Sequence, residues 1–301
     1  MSGKSARAEG LIPVPGGRVW YEAAGDGPVA VLLLHGGPGA PSDYLTPLMA
    51  LADDGYRVVR YDQLGSRRSD KPDDPSLWRV PRFVSEVDAV RQALGLDRVH
   101  LLGQSWGAFL ALEYALHHGE ALRSLTLASG AASTAECLNG MRRWREALPA
   151  AMQAALARSE AAGTYDDADF QAAMDELYRR HLCRIWPFPA VLAESMANMA
   201  MPVYTTMWGP AEFICTGNLL EWDRSDRLHE IAAPTLITVG RYDEVDPDCA
   251  ATLHRGIRGS RLELFEASSH SAHLEEPERF LAVLREFLAG VDAAEATRWA
   301  G

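Results

Sequence analysis

Six short apolar runs punctuate this chain and leave few ways to fold it. They are 29–34 (VAVLLL), 57–61 (RVVRY), 98–103 (RVHLLG), 122–128 (LRSLTLA), 234–239 (PTLITV) and 261–265 (RLELF). Each is apolar without alternation and is bounded by turn residues, which is how strands covered on both faces read. Helical patterns lie between most of them, at 42–53, 81–94, 106–118, 247–257 and 276–290. Alternating strand and helix predicts a doubly wound, mostly parallel α/β sheet. Residues 11–24 alternate about Pro15-Gly16-Gly17 and predict an opening hairpin.

One interval breaks the rhythm. Residues 131–230 hold no buried-strand run; they are rich in Ala, Arg, Met and Trp and are interrupted by Pro187, Pro189, Pro202 and Pro210. This predicts a helical cap (131–230) inserted between sheet strands of a core made by 1–130 and 231–301. Such a cap would lie over the sheet's carboxyl edge, where open α/β sheets bind ligands. The tail AAEATRWAG is expected to be a fraying helix end.

Bulk properties exclude several function classes. A net charge of −12 with no Lys/Arg run argues against nucleic acid, whose phosphates need a basic patch. The first ten residues lack the apolar stretch of a secretory signal. No run of about 18 apolar residues suggests a membrane span. Cys137, Cys183, Cys215 and Cys249 are widely separated and read as reduced, buried thiols. The expected compartment is the cytoplasm.

The chemistry begins at Gly103-Gln104-Ser105-Trp106-Gly107. This G-x-S-x-G follows an apolar strand and opens a helix, the context of a nucleophile elbow. Glycines flank the serine because the turn is too tight for a Cβ, and the hydroxyl is lifted to a helix N-terminus. A serine hydroxyl is a weak nucleophile and needs a base oriented by a third group. In chain order the candidates are Asp243, after the strand PTLITV, and His270, after the strand RLELF. Asp246 and Asp248 are alternative acids further along, and His273 is the alternative base. His270 and His273 have a spacing suited to metal, but no third ligand cluster supports it, so no metal or cofactor is expected. The oxyanion needs backbone donors. Trp106 supplies one, and the loop His35-Gly36-Gly37-Pro38-Gly39 supplies the other, with Gly37 the favoured donor.

HGGPG, Asp62-Gln63-Leu64-Gly65, GQSWG and the late Ser268-Ser269-His270 together resemble the proline iminopeptidases. The branch most similar holds the tricorn-interacting aminopeptidase and the amino-acid amide hydrolases, and the likeness runs from about residue 12 to 290. It implies the α/β-hydrolase fold with a helical cap. It also implies two glutamates that bind a substrate's free ammonium. These match Glu212, in Gly209-Pro210-Ala211-Glu212-Phe213, and Glu244, directly after Asp243. Charge-assisted bonds from such carboxylates would fix the N-terminus relative to Ser105.

The chain departs from the family pattern at four places. Arg67 and Ala108 replace glycines, Trp208 replaces an asparagine before Gly-Pro, and Ser271-Ala272 replaces Met-Pro. Trp208 and Ser271-Ala272 are expected at the pocket wall, where small changes of shape shift selectivity.

The leading expectation is hydrolysis of an amide after an unblocked N-terminal residue, through an acyl-enzyme on Ser105. Its substrate would be a small peptide or amino-acid amide with a free amine. An esterase or acyltransferase using the same triad is the alternative. A non-catalytic ligand-binding descendant would be marked by a lost nucleophile or base, and neither is lost.

Overall fold

The computed structural model describes residues 7–300. Eight strands form one sheet: β1 (Arg7–Val14), β2 (Gly17–Ala24), β3 (Ala30–Leu34), β4 (Arg57–Tyr61), β5 (Val99–Gln104), β6 (Leu122–Ala128), β7 (Thr235–Gly240) and β8 (Arg261–Phe265). Their order is β1-β2-β4-β3-β5-β6-β7-β8. The opening hairpin is antiparallel, β2 joins β4 antiparallel, and every later pairing is parallel. All six apolar runs lie on strands, and the hairpin strand β1 reaches four residues further back than its pattern suggests.

Burial on both faces explains the continuous apolar runs. Along a strand successive side chains point to opposite faces. Leu32 and Leu34 therefore join the cluster that contains Phe83, Val87, Phe109 and Leu112. Val31 and Leu33 join Leu45, Leu48, Phe280 and Leu284 on the other face. The first face is covered by α1 (Val80–Ala93) and α2 (Trp106–His118), and α8 (Pro247–Gly256) packs against β7 and β8. The second face is covered by a 3₁₀ helix at Ser42–Asp54 and by the C-terminal helix.

The helix expected at 42–53 is present at Ser42–Asp54; it winds as 3₁₀ and holds Pro47 within it. Proline supplies no N–H and crowds the preceding turn, which disfavours regular α-helical bonding. The final helix runs from Pro277 to Ala300, through the periodic stretch 276–290 and into the tail expected to be a helix end. Its Asp292 accepts from Tyr56, His100 and Arg123, and Glu295 pairs with Arg98 and Arg123. These bonds hold the later turns against the core.

Between β6 and β7 come α3 (Thr134–Glu146), α4 (Ala150–Ala162), α5 (Ala168–Leu177), a π-helical turn at Tyr178–Leu182, α6 (Ala190–Ala197) and α7 (Met201–Met207). Short α9 (Ala272–Glu275) and long α10 (Pro277–Ala300) follow β8. The inserted helices meet the carboxyl ends of the strands, and a cavity of about 290 Å³ opens between the two. Among the described residues no helix is long and apolar enough to cross a membrane. The four cysteines are buried and unpaired.

Candidate active site

Ser105 stands at the turn between β5 and α2 with φ 60° and ψ −127°. A side chain in that region is strained, and the surroundings must hold it there. Both flanking glycines are sterically required. A Cβ on Gly103 would lie 1.9 Å from the Gly107 carbonyl oxygen, and one on Gly107 would lie 2.2 Å from that of Leu34. The Ser105 amide donates to Ala128 O at 2.9 Å, tying the elbow to β6.

Asp243 follows β7 and His270 follows β8, so parallel pairing of these neighbours brings both to the same sheet edge. His270 Nδ1 lies 2.7 Å from Asp243 Oδ1, which also accepts from the Val245 amide at 2.9 Å. Asp243 is wholly buried and His270 nearly so. Among the described residues the Ser105 hydroxyl has no hydrogen-bond partner; His270 Nε2 instead lies 3.4 Å from Glu244 Oε1. That pair is close enough to attract but is not aligned as a hydrogen bond, and both oxygens of the buried Glu244 are without one.

Glu212 approaches from the loop after α7. Its Oε2 accepts from the Tyr204 hydroxyl at 2.7 Å, and its carbonyl accepts from Trp208 Nε1 at 2.8 Å. Glu212, Glu244, Ser105, His270, Gly36 and Gly37 all line the main cavity. Trp208 does not; it borders a second, small cavity of about 10 Å³ that also touches Ser105 and Glu212. Ser271 lines the main cavity, while Ala272 is buried.

Three carboxyl groups around one imidazole set the electrostatics. Burial by itself lowers the His270 pKa, but Asp243, Glu244 and Glu212 outweigh it and raise the value to about 10. Burial pushes Glu244 well above the usual carboxylate range, and the neighbouring Glu212 and Asp243 add to this against the opposing pull of His270. Glu212 is raised by burial too, moderated by the Tyr204 hydroxyl and by His270. Ionising both glutamates here is therefore costly, and a buried cation would relieve that cost.

The loop after β3 meets the same edge. The Gly36 amide is taken by the Tyr44 hydroxyl at 2.6 Å, and Gly37, at φ 110°, follows it. Sequence reasoning missed what joins these parts. Tyr44 donates to Gln104 Oε1 at 2.6 Å, and Gln104 Nε2 donates to His270 O at 3.0 Å. His35 Nε2 accepts from the Gln63 amide at 2.8 Å, and Gln63 Oε1 accepts from Trp106 Nε1 at 2.9 Å. Burial lowers the His35 pKa to about 4, so it acts as a neutral spacer between loops. The signal for Gln63 and Gln104 was their place inside the glycine motifs; nothing marked Tyr44.

The alternatives weighed from sequence lie elsewhere. His273 Nε2 faces Tyr44 O at 3.2 Å, and burial lowers its pKa to about 4. Asp246 caps α8 and pairs with Arg143. Asp248 also pairs with Arg143, at 2.9 Å.

Residues 29–277 match the alpha/beta hydrolase fold family. The proline iminopeptidase of Heyndrickxia coagulans is 39% identical over 283 residues, 93% of this chain and 98% of that protein. The chain belongs to the proline iminopeptidase family of α/β-hydrolases. The crystal structure of the Mycobacterium smegmatis proline iminopeptidase, 38% identical, superposes with a TM-score of 0.89 over 96% of this chain and all of the other. The structure of VinJ, 39% identical, gives 0.91 over 94% of this chain and 99% of that one. Within this family the HGGPG, DQLG and GQSWG motifs of the present chain are the residues of one hydrogen-bonded frame around Ser105.

Proposed function

We propose that this protein is a serine aminopeptidase that hydrolyses the amide bond after an unblocked N-terminal residue. Ser105 is the nucleophile, His270 the base and Asp243 the residue that orients it. The amides of Gly37 and Trp106 receive the oxyanion. Residues 131–230 form the cap over a core of 1–130 and 231–301.

The observation that carries the ammonium preference is Glu244. A buried carboxylate with both oxygens unbonded carries a large desolvation cost unless a donor arrives. An α-ammonium held between Glu244 and Glu212 supplies charge and donors together. It also draws Glu244 away from His270, which lowers the imidazole's pKa; the imidazolium releases its Nε2 proton to solvent, and Nε2 can then accept the Ser105 proton. Attack on the carbonyl forms the tetrahedral adduct, and its collapse expels the amine with a proton from His270. Water, activated by the same imidazole, then releases the amino acid.

The two cavities divide the substrate. His270 must reach the leaving amine, and His270 lines only the larger cavity. The departing group therefore occupies that space, and the first side chain enters the small one against Phe109, Met141 and Trp208. The chemistry needs no cofactor. Four buried, unpaired cysteines suit a reducing compartment, and we place the activity in the cytoplasm.

A panel of aminoacyl arylamides with their N-acetyl forms tests the reading. Turnover of the free amines alone is expected, and equal turnover of blocked substrates removes the role given to Glu212 and Glu244. Labelling of Ser105 by a fluorophosphonate tests the nucleophile independently.

A further inference from the structure

The loops that carry Asp243 and His270 leave different strands, and a single cap residue binds both. His181 lies in the π-helical turn that follows α5 and is buried. Its carbonyl accepts from the Glu244 amide at 3.2 Å and from the His270 amide at 3.1 Å. Its ring nitrogen Nδ1 lies 2.8 Å from Tyr242 O, which can only accept, so Nδ1 carries the proton and donates. The ring stacks on Trp144 of α3, with centroids 4.2 Å apart and planes 24° from parallel. Trp144 in turn donates from Nε1 to Asp243 O at 2.9 Å.

Two cap side chains and one cap carbonyl thus hold four backbone groups: those of Tyr242, Asp243, Glu244 and His270. The segment just after the turn adds to the attachment. The Arg184 amide donates to Glu275 Oε1 at 2.7 Å, and Glu275 Oε2 accepts from the Ser269 amide at 2.8 Å. His181 stands one residue from the end of its turn, where helix carbonyls lack intrahelical partners, and π turns recur at functional sites.

The geometry points to His181 and Trp144 as a stacked positioning pair, through which the docked cap sets the alignment of Asp243 and Glu244 against His270. Neither residue touches the reacting atoms. The neutral imidazole is the form required, because only it can donate from Nδ1 without placing a cation beside the acid loop. Burial lowers the His181 pKa, in keeping with that form. The inference rests on Asp243 and His270 being the working pair.

Three variants test it. His181→Phe keeps the stack and removes the donor to Tyr242. Trp144→Phe keeps a ring and removes the donor to Asp243. His181→Asn restores a donor, since its amide nitrogen can stand near the position of Nδ1. For both Phe variants, kcat on an aminoacyl arylamide is expected to fall about tenfold or more, because small misplacements of a catalytic group cost that much. Fluorophosphonate labelling of Ser105 should slow in parallel, and the Asn variant should recover most of both rates. Thermal denaturation of each variant shows whether it is folded at the assay temperature. Folded Phe variants with kcat and labelling rates within twofold of wild type would overturn the proposal. So would a loss that the Asn variant fails to recover. If wild type cleaves no arylamide yet labelling slows as described, the substrate reading fails and the positioning role stands.

Discussion

Glu244 Oε1 lies 3.4 Å from Nε2 of His270, the nitrogen proposed to take the Ser105 proton. The residue proposed to recognise the substrate's charge is therefore also the residue that occupies the base before substrate arrives. Substrate recognition and base release become one event. A blocked substrate leaves Glu244 where it is, and so fails for two reasons rather than one.

Glu244→Gln separates those effects. For a free-amine arylamide, kcat/KM is expected to fall roughly 10- to 150-fold, the worth of a charge-assisted hydrogen bond of about 1.5–3 kcal/mol. A simple acyl ester should lose nothing and gain near neutral pH, because His270 has one acidic neighbour fewer. Steady-state kinetics on the matched pair checks this, and an equal loss on both substrates counts against it.

The pH dependence has a definite sign. The His270 pKa is raised to about 10, so the free protein holds the imidazolium at neutral pH. Acylation needs the neutral base, and kcat/KM reports the free enzyme. On an ester with no amine, kcat/KM should therefore climb as pH rises from neutral toward 10. Glu244→Gln should move that limb to lower pH. A wild-type profile already flat from pH 7 upward would contradict it.

The main cavity is lined by Met174, Met196, Met199, Met201, Phe170 and Leu192, among others, and no Lys or Arg is in its lining. A free carboxylate on the leaving group would meet no Lys or Arg among the described lining residues and would sit near Glu212 and Glu244. Like charges brought together across a binding surface cost several kcal/mol. Alanyl-leucine amide is thus expected to be cleaved at least about tenfold faster than alanyl-leucine, a single methionine-lined cavity serving both. Chromatographic product assays at fixed pH distinguish the two.

Trp208 borders the small cavity of about 10 Å³ and bonds the Glu212 carbonyl. That space is about one water in size, so glycyl and alanyl arylamides should exceed phenylalanyl ones. Trp208→Phe loses the bond to Glu212 O but opens the cavity. Relative activity should shift toward larger first residues as KM for all of them rises. An unchanged ranking across the panel would remove Trp208 from the specificity wall.

How much of this was legible in the sequence differs from part to part. The core strands read correctly because burial on both faces of a parallel sheet imposes unbroken apolar runs. The strand–turn–helix at Ser105 was legible because Gly103 and Gly107 are forced by approaches that no Cβ survives. The 3₁₀ winding of Ser42–Asp54 and the anchoring of the last turns of α10 by Asp292 were not legible, since Pro47 and the Asp292 contacts act through geometry rather than through periodicity.

The sequence by itself determined the sheet, the tight turn at Ser105 and the placing of Asp243 and His270 at later strand ends, because each is dictated locally by strand, turn and helix chemistry. Only the tertiary structure decided that Glu244 faces His270, that Tyr44 and Gln104 join the oxyanion loop to the histidine loop, and that His181 spans the two strand ends. These partners are separated along the chain by tens to hundreds of residues. A hydrogen bond between such groups leaves no periodicity to read; it exists only once the strands are side by side.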